Sequence, residues 1–286
     1  AFMALGVLFT FRTLDCPDLT VDCSFPMGAL LMATSLTGGM HTLSGLLLAF
    51  CGGVLDGFVT AAILNRLKVP HLLAGILTMT MLYSVNIRIM GNRANLPLLR
   101  VDTIITHVTA VTQGLIPADW ASLIFFVLVI LAIKFALDLF FHTDMGLVFG
   151  ALGNNEQMVK VQGVNPATLK LIGVGLSNGL VALSGAFAAQ YQGFADVNLG
   201  QGIVVSGLAS VMLGEFIIKS NRIGLLTLRV ILGAILFKAI MYLGRYYGYY
   251  INMTPNDLKL IAGVLIIASL AVTNYRRIRG KAGTAA

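Results

Sequence analysis

The chain has 286 residues, of which 57% are hydrophobic and only 11% are charged. An ordinary soluble domain carries roughly 25% charged residues. Mean hydropathy is +0.88 and the formal net charge is +7. A water-soluble globule is excluded, because too few charged groups exist to cover its surface. Abundant apolar residues exclude intrinsic disorder, and three cysteines exclude a disulfide scaffold. What remains is an all-α polytopic membrane protein, a single domain over residues 1–286.

In chain order, the apolar runs are Ala1–Phe11, Phe25–Met40, Leu43–Leu64, Leu72–Met90, Trp120–Phe141, Leu169–Gln190, Ile203–Ile218, Ile223–Leu243 and Leu258–Asn274. A full span takes about 20 residues. The reading is therefore about eight or nine transmembrane helices. The first run is too short to span and has no basic start, so it reads as the second half of a helix that begins before Ala1. Phe25–Met40 and Ile203–Ile218 are short and rich in glycine and small residues. Such segments point to a transport pathway when they occupy corresponding halves.

The basic residues form no stripe for nucleic acid. They cluster between apolar runs, at Arg66 and Lys68, at Lys219 and Arg222, and from Arg276 to Lys281. The positive-inside bias then puts loops 65–71, 142–168 and 219–222 and the C-terminus in the cytoplasm. Loop 91–119 and residues 246–257 fall outside. Trp120, Tyr246, Tyr247, Tyr249 and Tyr250 sit at the expected outer interface.

Asp18–Leu30 can be laid on Asp196–Leu208, with an acid and a polar turn before a short apolar helix in each. The topology gives these helices opposite directions, the sign of a weak inverted repeat.

Ionisable groups within a bilayer are costly and point to function by default. Lys134 and Asp138, and likewise Glu215 and Lys219, stand four apart and can pair on one helix. Arg229 and Lys238 fall on roughly opposite faces, so at least one of them meets a protein interior or a cavity. Asp56 has no partner near it in sequence; it is either a packed, neutral side chain or part of a proton relay. The stretch from Arg12 to Asp22 is either a solvated loop or a dip into a central cavity. Pro17 and Pro26 break the helix there, and irregular backbone at membrane depth must line a cavity or be buried. The candidate path residues are Asp15, Asp18, Thr20, Asp22, Tyr83, Asn86, Asp196 and Asn198. The scattered histidines and cysteines have no metal-ligand spacing. No hydrolase, metalloprotease or phosphate-loop motif is present, so the chain reads as a non-catalytic subunit.

Loop 142–168 is the most specific part of the sequence. Asn154 or Asn155 can cap a short helix over Glu156–Gln162, with Glu156 near its positive end. Gly163 can stop it. The stretch Gly153-Asn-Asn-Glu-Gln-Met-Val-Lys-Val-Gln-Gly-Val-Asn165 resembles the coupling segment of permease subunits of bacterial ABC importers, in the branched-chain amino acid and ribose permease family. The likeness extends through Thr10–Asp15, Asp18–Asp22, Leu73–Thr80, Leu176–Ala186 and Gln190–Asp196. Together these look like the branch described as tryptophan/tyrosine importer permeases. The chain departs from the pattern at Cys23, Asn154 and Val159.

The resemblance implies a permease homodimer around a central path in the bacterial cytoplasmic (inner) membrane. Two ATPase subunits would dock on the coupling residues Gly153, Asn154, Asn155, Glu156, Gln157 and Gly163. An external binding protein would deliver a small solute, with an aromatic amino acid favoured. ATP and Mg would be bound by the ATPase, and no cofactor by this chain. The alternative is a secondary transporter driven by an ion gradient, with Asp56, Arg229 and Lys238 as its ion-linked residues.

Overall fold

The computed structural model describes residues 1–14, 18–99, 101–112, 117–218, 223–248, 260–268 and 271. Asp15, Cys16, Pro17, Arg100, Lys219, Arg222, Tyr249, Tyr250 and the Arg276–Lys281 cluster lie outside the described residues, as do the side chains of Arg12 and Thr13.

The architecture is helical throughout, as the composition requires. The elements are α1 (Phe2–Leu8), which continues into a wider turn at Phe9–Thr13, then α2 (Val21–Thr37), α3 (Thr42–Leu67) and α4 (His71–Ile89). After strand β1 (Asn95–Pro97) come α5 (Ile104–Val111), α6 (Ala118–Phe141), α7 (Asp144–Asn154), α8 (Glu156–Val161) and α9 (Pro166–Gln192). Strand β2 (Phe194–Asp196) and a tight turn at Val197–Gly200 lead into α10 (Ile203–Ile217) and α11 (Ile223–Gly248). Residues 260–268 are also helical. Each of the nine apolar runs thus holds helix. Among the described residues, six helices are long and apolar enough to cross a membrane.

The long central helix α9 organises the rest. Its Gly53-facing, Gly57-facing and Ala167 positions show that α3 runs antiparallel to it: a Cβ on Gly53 would meet Asn178, one on Gly57 would meet Val174, and Asn65 Nδ2 donates to the Ala167 carbonyl at 2.9 Å. Helix α2 is antiparallel to α3 as well, since Gly45 abuts Met32 and Ser35 while Gly52 abuts Leu31. It therefore runs parallel to α9. The contact is backbone to backbone, because a Cβ on Gly28 would sit 1.8 Å from the Ala182 carbonyl oxygen and one on Gly185 1.9 Å from that of Phe25. Small residues permit this approach, which gives helices in lipid their packing energy. On the other flank, Phe9 meets the rings of Phe140, Phe141 and Phe149 at centroid distances of 5.4 to 5.7 Å, which ties α1 to α6 and α7.

Two parts differ from the sequence reading. The long loop 91–119 contains β1 and α5, and β1 pairs antiparallel with β2 through Asn95–Asp196, Leu96–Ala195 and Pro97–Phe194. Loop 142–168 holds two helices rather than one, because Thr143 caps a further helix, accepting from Gly146 N at 3.3 Å. Both features rest on partners distant in sequence or on a second cap beside the expected one.

The lone charges inside helices are largely paired. Lys134 and Asp138 form an ion pair, and Thr227 Oγ1 donates to Asp138 at 2.5 Å. Glu215 pairs with Arg229 of α11 at 3.1 Å, an inter-helix partner; the i+4 candidate Lys219 lies outside the described residues. Arg229 is the interior cation of its helix, at 3% exposure.

Candidate functional site: a helix junction inside the bundle and a displayed helix pair

Helices α2 and α10 both begin near the middle of α9. Asp18 Oδ2 accepts from Asn178 Nδ2 at 2.6 Å, and Ser24 Oγ donates to Asn178 Oδ1 at 2.8 Å, which fixes the start of α2 there. The start of α10 is held by Asp22, whose carboxylate accepts from Val204 N at 2.8 Å and Gly202 N at 3.2 Å. An acid from one helix thus supplies the acceptors for the free N–H groups of another, where the helix dipole favours negative charge. Gly200 makes the meeting possible, since its Cβ would lie 1.7 Å from the Asp22 carbonyl oxygen.

From this junction the two helices leave in opposite directions. Helix α2 runs with α9 toward the β1–β2 ribbon. Helix α10 runs toward the end that carries α7 and α8, because it is antiparallel to α11, with Ser210 against Gly233 and Gly214 against Arg229, and α11 starts beside Asp138. Both stretches open on the same Asx turn. Asp18 Oδ1 accepts from Thr20 N at 2.9 Å, and Asp196 Oδ1 accepts from Asn198 N at 2.7 Å. These are the positions that the two sequence stretches align.

The other path candidates distribute as follows. Thr20 is fully buried and its hydroxyl bonds that of Thr60 at 2.8 Å. Asn86 is buried and donates to the Cys23 carbonyl at 3.1 Å. Cys23 lies within α2, its thiol donating to the Met79 carbonyl at 3.2 Å, and the helix continues through Pro26, where the sequence predicted a break. Asp196 and Asn198 sit on the exposed side of the junction, with Gln201 Nε2 donating to Asn198 Oδ1 at 3.1 Å. Tyr83 is exposed on α4 and joins none of these groups. Asp15 is outside the described residues. Asp56 is buried beside Ser24. The hub of the network is Asn178, an amide in the middle of an apolar helix. Its signal in the sequence was a polar residue at spanning depth.

The second region is α7 with α8. Asn155 adopts extended backbone and its Oδ1 accepts from Gln157 N at 3.0 Å and Met158 N at 3.1 Å. It is the cap of α8, while Gly153 and Asn154 end α7. Gly163, at φ +82°, turns the chain left-handed after α8, which glycine does without steric cost. Val159 is fully buried and anchors the short helix. Glu156 faces back toward α9, bonding Lys170 Nζ at 2.9 Å and Lys160 at 3.3 Å. The hydrogen bond from Lys170, then the nearby charges of Lys170 and Lys160, hold the Glu156 carboxyl below its ordinary pKa. Outward, the pair displays apolar side chains: Met158 is 52% and Val161 88% exposed. Helix and loop therefore present a greasy face on a charge-pinned base.

The profile of the family described as "Branched-chain amino acid transport system / permease component" matches residues 1–270. The chain belongs to this family. It is a transport-system permease and a multi-pass membrane protein. The permease is 37% identical to the tyrosine transport system permease protein of Clostridioides difficile (strain R20291), over 96% of this chain and 88% of that one. It is 29% identical to an uncharacterized protein of Rickettsia prowazekii (strain Madrid E), over 94% and 92%. It is 22% identical to the autoinducer 2 import system permease protein of Yersinia pseudotuberculosis serotype O:3 (strain YPIII), over 74% and 58%. No solved structure matches the permease at a significant level.

Proposed function

We propose that the permease is the membrane subunit of an ATP-driven importer for a small solute, an aromatic amino acid above all. Two copies form the path in the bacterial inner membrane, an external binding protein delivers the solute, and a separate ATPase, with its ATP and Mg, docks on α7 and α8. One observation carries this reading: a capped two-helix element stands at the start of α9, with Glu156 bonded to Lys170 and with Met158 and Val161 turned outward. An exposed apolar face of this kind marks a protein-interaction site. The same end holds Lys160 and, through the Asn65–Ala167 bond, the Arg66–Lys68 turn, which fits a cytoplasmic orientation. The relative's printed name supports an aromatic amino acid as solute.

In this reading the ATPase binds one arrangement of α7 and α8 better than another, and that difference biases the helix junction. The permease, its ATPase and its binding protein reconstituted in vesicles should take up tyrosine only with ATP, and vanadate should stop it. Uptake that continues without the ATPase and follows a proton gradient would sink the proposal. One observation favours that second reading: Asp56 Oδ2 is buried with no hydrogen-bond partner among the described residues. Asp56→Asn should then abolish the pH dependence of uptake, whereas an ATP-driven permease keeps its ATP dependence in that variant.

A further inference from the structure

Helix α11 carries a second cation whose setting is the reverse of that of Arg229. Lys238 lies ten residues before Gly248, where the described part of the helix stops, a distance of about 15 Å at the helical rise. A lysine side chain reaches only part of that distance. Yet Lys238 is exposed, and neither it nor Arg245 has a carboxylate partner among the described residues. An unpaired charge at such depth is costly unless it faces a watered cavity.

A cavity lies beside it. Lys238, Tyr242 and Arg245, spaced i, i+4 and i+7 on one face of α11, line an opening of about 1220 Å³ together with Tyr191, Gln201 and Phe237. Gly202, at the start of α10, forms part of its wall. The N–H of Gly202 is already taken by Asp22, so the positive character of the cavity comes from the two side-chain cations. Rings come from Tyr191, at the end of α9, and from Tyr242 on the same face of α11 as the cations.

We infer that this cavity binds the carboxylate of a ring-bearing solute, with Lys238 as the counter-charge, Arg245 as a second cation, and Tyr191 and Tyr242 against the ring. The site rests on the reading of the chain as a solute permease, and it names the part of the solute that is recognised. Charge selects the carboxylate, and rings pack edge-on or offset against rings. The cavity adjoins the α2–α10 junction through Gly202, so its occupant touches the element that Asp22 holds.

The test is equilibrium binding of N-acetyltyrosine to the full chain in phosphatidylcholine nanodiscs, with N-acetyltyramine, which has the same ring and no carboxylate, as the control. The wild-type chain should prefer N-acetyltyrosine by about tenfold, the worth of one charge-assisted hydrogen bond. Lys238→Met should erase the preference and Lys238→Arg should keep it. Equal binding of the two probes by the wild type, or an unchanged preference in Lys238→Met, overturns the assignment. The measurement is repeated with phosphatidylglycerol in the nanodisc. A preference that survives supports a solute site; one that vanishes identifies a lipid headgroup site and overturns it. Neither ATP nor uptake enters this experiment. Intact binding without vanadate-sensitive uptake would count against the importer alone, and lost binding with intact uptake against the site alone.

Discussion

The start of α10 and the start of α8 solve the same problem with opposite means. Each needs acceptors for its first N–H groups. At α10 the acceptor is an acid from another helix, the half-buried Asp22 at the start of α2. At α8 it is the neighbouring Asn155, exposed, with Glu156 pinned to lysines beside it. The Asp22–Val204 bond is partly buried, so water substitutes poorly for it and its loss is costly, while the Asp22–Gly202 bond lies on the open, cavity side. The exposed cap exchanges protein for solvent at small cost. In the proposed importer this division separates a joint between helices from a surface element on which the ATPase would act.

Removing the half-buried acceptor should have the largest effect. Asp22→Ala leaves the start of α10 unpaired, and should lower stability by about 2 to 3 kcal/mol, read as thermal unfolding of the detergent-solubilised chain. Asp22→Asn keeps one acceptor and should lose less. A loss under about 1 kcal/mol in Asp22→Ala would mean that water reaches the junction, and the contrast with α8 would collapse. Next comes Gly200→Ala, whose methyl would press on the Asp22 carbonyl and should cost about 2 kcal/mol through overpacking. Combined with Asp22→Ala, its effect should fall short of the sum, because both loosen the same α2–α10 junction. At the exposed end, Asn155→Ala removes a cap worth about 1 kcal/mol. There the stronger readout is ATPase stimulation, which should drop while the melting temperature scarcely moves.

The parts legible in the sequence are those governed by local chemistry. Apolar length marked the helices, Asn154 or Asn155 and Gly163 marked the ends of α8, with Asn155 the cap in the structure, and the Asp18 and Asp196 turns share one hydrogen-bond geometry. What escaped depends on partners far along the chain. Glu215 has Arg229 beside it from the antiparallel α11, which no i+4 rule can anticipate. Asn178 becomes a hub only because Asp18 and Ser24 arrive from 160 and 154 residues away. The β1–β2 ribbon joins segments that are 101 residues apart at Asn95 and Asp196. Lys238 and Arg229 looked alike in an apolar helix, and only packing separates the buried pair from the cavity wall.

The smallest expected effect on stability belongs to Glu156, and its pH dependence has a definite sign. The carboxyl is 42% exposed, so its pairing with Lys170 and Lys160 is screened by solvent and contributes well under about 1 kcal/mol. Because the folded-state pKa is lowered, the contribution is fully present above the ordinary glutamate value of about 4.3. It is lost as the pH falls through the lowered value. Between pH 6 and 8 the pair should therefore be constant, and ATPase stimulation should show no Glu156-linked titration. Glu156→Gln should flatten the loss of stability seen in acid and weaken the salt sensitivity of α8 docking. Glu156→Lys should do more, since a third cation beside Lys160 and Lys170 would drive α8 away from α9. A pH-dependent step in stimulation near neutrality that disappears in Glu156→Gln would show that the carboxyl is enclosed by the docked partner, and would move α8 to the enclosed side of the comparison.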